Sequence, residues 1–503
     1  RPRPSPPRHI RRRALRTTSE MQSLFGLFTC TIPRSSGSLD PTRAPTMMWS
    51  TGRPATIWSS RPLDPAFASL SSAGPLDPVF VFEGRWNMSS SSARADWPCT
   101  GVRFGLSVGS GGGDVLIAWH SVRSRINVTV TNANNGSLFS THVLTGPLVD
   151  PEGREELDRI SFAAGLPGQF EVRLRKMTSA TPFSMGFSTK IFQPSVLTLH
   201  NVSTWGDLHL FSPAVPSRRI EIIGASDSAG YCVDGTTEAS AIDASLFGYK
   251  FSNCDGAYGA ELGRRFSAEI SVQALAGAGL TQNANAARVW EEGPLTMADL
   301  FNRTLQTEGA VWSTSARLPD MIIVSLGGND YNHQDGLVPT NASFVAAYAE
   351  LLQSLYRFYA GQSSMPVLSV CGMGDPTEAS RDPDNNRCRP CPHVAEAVAA
   401  FAAKHPDRLV EYLYIPCDGT VVTGVEDIGC AGHKNGAGQS KVAAFIAPVV
   451  ERIMGWTQRN QPATSHSGRR ASEREAQGGN GFAPVDSHRR LVPSGGGGGG
   501  RQG

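Results

Sequence analysis

The sequence predicts an α/β protein in which an all-β, jelly-roll-like sandwich precedes a parallel, flavodoxin-like sheet. Three features of the 503 residues lead to this prediction. Up to about residue 202, short runs alternate apolar with polar residues between Gly, Asn, Asp and Pro clusters, as antiparallel strands do. From residue 219 onward, strand-like and helix-like segments alternate. Continuous apolar runs such as 321–326 indicate strands that are buried on both faces.

The sandwich is predicted from period-2 runs separated by turn-forming residues, and no helix is expected among them. In the second half, helical patterns of 10 to 18 residues separate the apolar runs, so a parallel sheet covered on both faces is expected. The predicted sandwich strands are 102–108, 114–119, 125–130, 169–175 and 185–192. The predicted parallel strands are 220–223, 270–275, 321–326, 366–370 and 409–414, and the predicted helices are 257–266, 296–305, 343–359, 393–403 and 437–454.

Shifts in composition along the chain predict its domain organisation. Both ends lack the apolar periodicity that a packed core requires, so they are expected to be disordered. The predicted parts are a Pro/Arg/Ser-rich segment 1–75, a sandwich domain 76–205, a linker 206–218, a catalytic domain 219–457 and a Gly-rich tail 458–503.

The charge balance excludes some classes of partner. With 46 basic and 44 acidic residues, no overall field favours nucleic acid or an anionic membrane. No run of about 18 apolar residues is long enough to span a bilayer. Nine cysteines and six N-x-S/T sequons favour a secreted or lumenal protein, which is expected to be a monomer.

Disulfide bonds are expected, but the spacing leaves their connectivity open. Cys232 and Cys254 flank the segment after Ser226, and Cys417 and Cys430 flank the approach to His433; either pair is a candidate. The odd number of cysteines leaves one thiol free.

Three polar residues follow strand-like or loop segments in positions that suit acyl transfer. Ser226 and Asn329 come directly after predicted buried strands, and His433 lies in the loop 429–438. A serine nucleophile needs a base to take its proton and donors to stabilise the oxyanion. Ser226, His433 and Asn329 are therefore candidates for nucleophile, base and oxyanion donor. The turn 276–280 is a candidate source of a further backbone N–H.

Each of these residues also has an ordinary structural interpretation. Ser226 alone suits a turn, Asn329 a left-handed or capping position, and His433 a surface loop. Because all three residues occur at the strand and loop positions that the mechanism needs, a shared site is favoured. The sequence around Ser226 reads G-A-S-D-S, which lacks G-x-S-x-G and so disfavours an α/β-hydrolase nucleophile elbow.

At these residues the chain resembles the SGNH (GDSL-like) hydrolases. The segment 219–231 resembles their first block, 326–330 their Gly-x-Asn block, and 430–439 their C-terminal histidine block. Within that superfamily it is most similar to the second family of carbohydrate esterases, which pair a β-sandwich with an SGNH domain. The resemblance covers about residues 80–456.

The resemblance implies roles for individual residues. It makes Ser226 the nucleophile, His433 the base, and the oxyanion hole Ser226, Asn329 and Gly277, with Gly279 the alternative to Gly277. It also implies an acetylated cell-wall polysaccharide or oligosaccharide, such as acetylated xylan, as substrate, and no metal or organic cofactor.

Two departures from the family pattern concern catalysis. Ala225 stands where an Asp usually precedes the nucleophile, and the positions two and three before His433 lack the usual acid. A third group normally fixes the tautomer of the base. A backbone carbonyl is expected to do so here, which gives a Ser–His dyad. Asp427, six residues upstream, can act as the acid only if its loop folds back.

Other candidate sites and functions are less favoured. The C-x-x-C pair Cys388 and Cys391, with His393, lacks the further ligands of a zinc site, so membership of disulfides is preferred. Asp330 and His333 are expected to line the pocket, cap a helix or face solvent. The rival functions are an SGNH lipase or thioesterase, and a non-catalytic carbohydrate-binding protein on a decayed hydrolase scaffold.

Overall fold

A computed structural model describes the chain at residues 58–59, 71–147, 155–179, 195–237, 249–284, 295–314, 317–332, 337–360, 364–373 and 388–459. All of these residues lie in one compact unit, Thr56–Gly503. The predicted strand 185–192 and most of both predicted disordered ends lie outside the described residues.

An antiparallel sheet occupies the first half of the described chain, as the alternating runs predict. Alternation appears directly as burial: in the strand Arg125–Asn132, Ile126, Val128 and Val130 are buried and the residues between them are partly exposed. Eleven described strands form this sheet: β1 Trp58–Ser59, β2 Ser71–Ala73, β3 Val81–Glu83, β4 Asn87–Met88, β5 Ala93–Ala95, β6 Gly101–His120, β7 Arg125–Asn132, β8 Leu138–Thr145, β9 Glu156–Phe162, β10 Gly168–Lys176 and β11 Leu197–Phe211.

Three boundaries in this region differ from the predictions. The predicted strands 102–108 and 114–119 are one strand, β6. The glycines between them do not end it, because pairing with β11 passes through a register shift from Gly113–Gly206 to Val108–Leu208. Strand β2 pairs with β11 inside the segment that was expected to be disordered. Strand β11 extends to Phe211, so residues 212–217 connect the two sheets instead of 206–218.

A five-stranded parallel sheet follows, in the order β13-β12-β14-β15-β16. Its strands are rich in buried apolar residues because helices cover both faces; Ile220, Ile222 and Ile223 of β12 are fully buried. The strands are β12 Arg218–Gly224, β13 Ala268–Ala274, β14 Met321–Ser325, β15 Val367–Gly372 and β16 Val410–Ile415. The α-helices are α1 Ser226–Ala229, α2 Tyr258–Phe266, α3 Met297–Leu300, α4 Asn341–Phe358, α5 Cys391–Lys404 and α6 Gly436–Met454.

Most of the predicted strands and helices of this half are present within a few residues of the predicted bounds. The exception is the helix predicted over 296–305, which ends at Leu300. Thr296 and Asp299 form a capping box at its start. Beyond it the chain turns, and Arg303 bridges to Val311 in an antiparallel pair.

Arg85 joins the two sheets through the interior. Its guanidinium is fully buried and donates to Glu221 of β12 at 3.0 Å, to the Phe301 carbonyl at 2.6 Å and to the Tyr359 hydroxyl at 3.0 Å. It also lies 4.9 Å from the ring centroid of Trp312. This network explains the charged residue in the otherwise apolar run 220–223, since Glu221 is the partner of Arg85.

Replacing Arg85 with leucine is expected to destabilise the fold strongly. Glu221 loses its guanidinium partner while remaining buried, which typically costs about 3–5 kcal/mol. Urea unfolding followed by tryptophan fluorescence measures the loss. The control is Arg94→Leu, which removes a pair with Glu308 whose side chains are 39% and 34% exposed; about 0–1 kcal/mol is expected there. Equal losses in the two variants would contradict the assigned role of Arg85.

No helix among the described residues is long and apolar enough to cross a membrane. A disulfide between Cys99 and Cys254 connects the turn after β5 to the segment before α2. The predicted pair Cys232–Cys254 is therefore wrong: the chain returns from β12 so that Cys254 meets the antiparallel half of the molecule, 155 residues earlier in sequence.

Candidate active site

The candidate residues leave the same edge of the parallel sheet. Strand β12 pairs with β13 and β14, and Gly224, at its end, lies opposite Ala274 and Ser325. Residues that follow these three positions are therefore neighbours at the carboxyl edge of the sheet, where ligands bind in such folds. Ser226, Gly277 and Asn329 follow them by two, three and four residues.

Ser226 is the first residue of the short helix α1, directly after β12. It is 9% exposed, so it is largely but not completely buried. The turn is tight: a Cβ on Gly224 would overlap Ser228, whose hydroxyl lies 2.8 Å from that of Tyr258. Since α1 begins at Ser226, the N–H of this residue has no intrahelical acceptor.

His433 contacts Ser226 directly. Its Nε2 lies 2.8 Å from the Ser226 Oγ, and its Nδ1 lies 2.8 Å from the carbonyl oxygen of Ala431. A carbonyl only accepts, so Nδ1 holds the proton and Nε2 is free to accept the proton of the serine. Ala431 has a φ of 52°, which is uncommon for a residue with a Cβ. This backbone conformation aims its carbonyl at the imidazole.

Asp427, the candidate acid, has other partners. Its carboxylate accepts from the Thr423 N–H at 2.8 Å, the Thr423 hydroxyl at 2.9 Å and the Lys441 ammonium at 2.6 Å. Burial raises the pKa of this carboxyl, but the hydrogen bonds from Lys441 and Thr423 outweigh burial and the pKa falls below its usual value. The loop does fold back, as the bridge between Ile428 and Lys434 shows. However, the group that it places against the imidazole is the Ala431 carbonyl and not the Asp427 carboxylate.

The two candidate glycines differ in what their N–H groups contact. The Gly279 N–H donates to Asn283 Oδ1 at 3.0 Å. In the described part of the chain no group accepts from the N–H of Gly277, which adopts a φ of 82°. A left-handed conformation of this kind suits glycine. Of the two, Gly277 therefore has an N–H to offer an oxyanion.

Asn329 contacts the same loop. Its side-chain amide donates one N–H to the Ala278 carbonyl at 2.8 Å, which leaves the second N–H of the amide for another acceptor. It lies in the 3₁₀ turn Gly328–Tyr331 and is partly exposed.

Asp330 positions this loop and does not line the pocket. It is fully buried, and its carboxylate accepts from the N–H groups of Leu280 at 2.8 Å and Thr281 at 2.6 Å. Burial raises the pKa of its carboxyl, and these hydrogen bonds partly offset that effect. Asp330 was noticeable in the sequence because it directly follows Asn329, but its partners Leu280 and Thr281 could not be predicted. His333 lies outside the described residues.

Three disulfides connect segments at the carboxyl edge of the parallel sheet. Cys232–Cys430 connects the segment after α1 to the loop before His433, and Cys371–Cys391 and Cys388–Cys417 connect the ends of β15 and β16 to the start of α5. The candidate pair Cys417–Cys430 is thus wrong, because the loop 425–433 folds against α1. The preference for disulfides over a metal at Cys388 and Cys391 is confirmed. No group of three or more metal-ligating side chains lies together in the described residues.

In sequence, known proteins match this chain over part of its length; in structure, they match it over most of its length. No family model matches the chain. It is 31% identical over 150 residues to the cellulase/esterase CelE of Acetivibrio thermocellus, covering 30% of this chain and 17% of that protein. It is 26% identical over 201 residues to an acetylxylan esterase/glucomannan deacetylase of Cellvibrio japonicus, covering 38% and 49%. The chain spans less than half the length of these relatives.

Among solved structures, a family two carbohydrate esterase from Clostridium thermocellum in complex with cellohexaose is similar over nearly its whole length. The TM-score is 0.57 at 20% identity, and the match covers 75% of this chain and 99% of that one. The chain shares the fold of this esterase and includes a parallel sheet. The resemblance to the second family of carbohydrate esterases is thereby confirmed.

Proposed function

We propose that the protein is a serine esterase that removes O-acetyl groups from carbohydrate through a Ser226–His433 dyad. The observation that supports this most directly is the pair of contacts made by the imidazole. One nitrogen faces the serine hydroxyl and the other faces a backbone carbonyl, each at 2.8 Å. This is the arrangement of an activated nucleophile whose base is oriented by a third group.

The proposed reaction has two displacements at the acetyl carbon. Ser226 Oγ attacks that carbon while His433 Nε2 takes the hydroxyl proton. The tetrahedral intermediate collapses, the bond from carbon to the sugar oxygen breaks, and Nε2 returns the proton to the departing sugar hydroxyl. Water then attacks the acetyl-serine with His433 again accepting a proton, and acetate leaves as Oγ regains its hydrogen. The chemistry requires no metal or organic cofactor.

Three donors are proposed for the oxyanion. They are the N–H of Ser226, the N–H of Gly277 and the side-chain amide of Asn329. The contact of Asn329 with Ala278 supports the grouping, since it connects one donor to the residue that directly follows another, Gly277. Asp330 supports it indirectly by holding the loop after Gly277.

Replacing Asn329 with alanine is expected to lower kcat by about 10²–10³-fold with little change in KM. Loss of one oxyanion donor acts mainly on the transition state, where the charge is greatest. Steady-state hydrolysis of 4-nitrophenyl acetate measures both constants. The matched control is Asn332→Ala, an exposed residue three positions along the same segment, for which unchanged constants are expected. A pure KM effect at Asn329 would assign it to ground-state binding instead.

The substrate class is proposed from the relatives. Those with curated names are esterases that include acetylxylan esterases/glucomannan deacetylases, and one solved structure holds cellohexaose. Four disulfides in the described part of the chain favour a secreted or lumenal location. The domain division, with a jelly-roll-like domain before an SGNH domain, is also our proposal. The change from antiparallel to parallel pairing between Phe211 and Arg218 supports it.

Acetate release tests the proposal. Wild-type protein is incubated with acetylated xylan, acetylated glucomannan and 4-nitrophenyl acetate, and in parallel with 4-nitrophenyl octanoate and an acetyl thioester. Preference for the acetylated polysaccharides supports a carbohydrate esterase. Preference for the long chain or the thioester favours the lipase or thioesterase alternative. Glycan binding without hydrolysis of any ester favours the non-catalytic alternative.

A further inference from the structure

An ion pair connects the two residues that follow the proposed nucleophile and base. Lys434 Nζ lies 3.1 Å from Asp227 Oδ2. The Lys434 side chain is 1% exposed and that of Asp227 is 15% exposed. The pair therefore lies beneath the site and not on the surface, where ion pairs contribute little.

The burial of this pair restricts its geometry. Separating a buried ammonium from its carboxylate is costly, so the two side chains hold their segments at a fixed spacing. One segment is the start of α1, which includes Ser226, and the other is the loop that includes His433. The Asp227 carbonyl also accepts from Gln439 of α6 at 3.2 Å, which fixes the same turn from a second direction.

A fixed spacing between these two segments is important because the proposed site is a dyad. In a triad, a carboxylate behind the imidazole both orients the ring and attracts it. Here that position is taken by the neutral carbonyl of Ala431, on the same loop as His433 itself. The Ala431 contact orients the ring within its own loop, but it does not fix that loop relative to Ser226. Contacts between the two segments must do so.

We propose that Asp227 and Lys434 are a positioning pair that sets the distance between Ser226 Oγ and His433 Nε2. The inference rests on the proposed function. The pair acts alongside the Cys232–Cys430 disulfide, which connects the same two segments further from the reacting atoms. Because its charges cancel, the pair sets this geometry with little net effect on the charge of the imidazole.

The effect of the pair on the charge of the imidazole can be tested, because two other titratable groups near His433 are neutral or paired. Tyr231 packs edge-on against the imidazole with 4.9 Å between ring centroids, and burial raises its pKa to about 12, so it is neutral near pH 7. On the same loop, Asp427 is paired with Lys441. Removing one member of the Asp227–Lys434 pair therefore changes the net charge near the base.

The test compares Asp227→Asn, Lys434→Met and the double variant with wild type. All three are expected to lower kcat by about 10- to 100-fold, as a misplaced catalytic group does. In Asp227→Asn the remaining cation disfavours the imidazolium, so the acidic limb of the rate profile moves to lower pH. In Lys434→Met the remaining anion favours it, so the limb moves to higher pH. The double variant returns the limb to the wild-type position while kcat stays low.

A conservative variant and a control pair separate positioning from folding. Lys434→Arg keeps the charge and is expected to retain most of the activity. The double variant Arg94→Gln/Glu308→Gln removes a half-exposed pair distant from the site and is expected to leave kcat and the limb unchanged. Thermal unfolding of each variant shows whether it is folded at the assay temperature. Should the double variant not fold, the opposite limb shifts of the two single variants decide the question.

A second readout makes failure of this inference distinguishable from failure of the proposed function. A fluorophosphonate probe forms a bond from Ser226 Oγ to phosphorus as fluoride leaves, and its rate depends on the dyad without any acetyl substrate. If wild type is labelled but releases no acetate, the proposed substrate is wrong, and the labelling rates of the variants still test the pair. The inference would be overturned if both single variants had the same kcat, the same labelling rate and the same acidic limb as the wild-type protein. No labelling of wild type at Ser226 would overturn both proposals.

Discussion

Replacing Ser226 with alanine is expected to lower acetate release by about 10⁴-fold or more, because no acyl-enzyme can form. Binding and oxyanion donors alone typically retain only a small residual rate above that of water. The measurement is acetate release from acetylated xylan together with hydrolysis of 4-nitrophenyl acetate. Fluorophosphonate labelling is expected to disappear in the same variant.

Ser228→Ala is the matched control, because the sequence G-A-S-D-S contains two serines. Ser228 is 2% exposed, and its hydroxyl lies 2.8 Å from the Tyr258 hydroxyl, so its role is to pack the turn. Its loss is expected to lower stability modestly and to leave kcat within a few-fold of wild type. The reverse pattern, with activity lost in Ser228→Ala and kept in Ser226→Ala, would exchange the assignment of the nucleophile.

Replacing His433 with glutamine is expected to lower kcat by a similar factor, about 10⁴-fold, since Ser226 loses the base that takes its proton. The remaining activity is expected to lose the acidic limb of its pH profile. The limb arises because imidazole acts as a base only when neutral, so activity rises with pH as the ring loses its proton. Steady-state rates between pH 5 and 9 measure both effects.

Asp427→Asn distinguishes a dyad from a triad. The carboxylate is bonded to Thr423 and Lys441, and the imidazole Nδ1 faces Ala431. The dyad therefore predicts a loss of kcat at least about 100-fold smaller than that of His433→Gln. A loss as large as that of His433→Gln, with the protein still folded, would identify Asp427 as the missing acid.

The parallel half of the fold was predictable from local patterns. Buried strands such as 321–326 are apolar throughout, and the helices between them have clear periodicity, so their order and approximate bounds follow from sequence. The antiparallel half was predictable in type but not in detail. The run 109–113 resembles a break because glycine usually ends a strand, yet here it accommodates a register shift against β11.

The proximity of the candidate site residues was predictable because they follow strands that end at one edge of a sheet, which is a consequence of topology. The disulfide partners were not, because they depend on how loops return over that edge. Cys232 and Cys430 are 198 residues apart, and nothing in their flanking residues specifies the pairing. Neither Asp330 nor the pair Asp227–Lys434 could be assigned a role from sequence, since each acts through a contact between segments distant along the chain.

The spacing of the cysteines has a consequence for how the protein matures. Chain synthesis delivers Ser226 and Cys232 long before Cys430 and His433, so the proposed nucleophile first exists without its proposed base. The bond between Cys232 and Cys430 can form only when nearly the whole catalytic region has been made and exposed to an oxidant. Under the proposed function, the base and the second cysteine of this disulfide are therefore supplied together, long after the nucleophile.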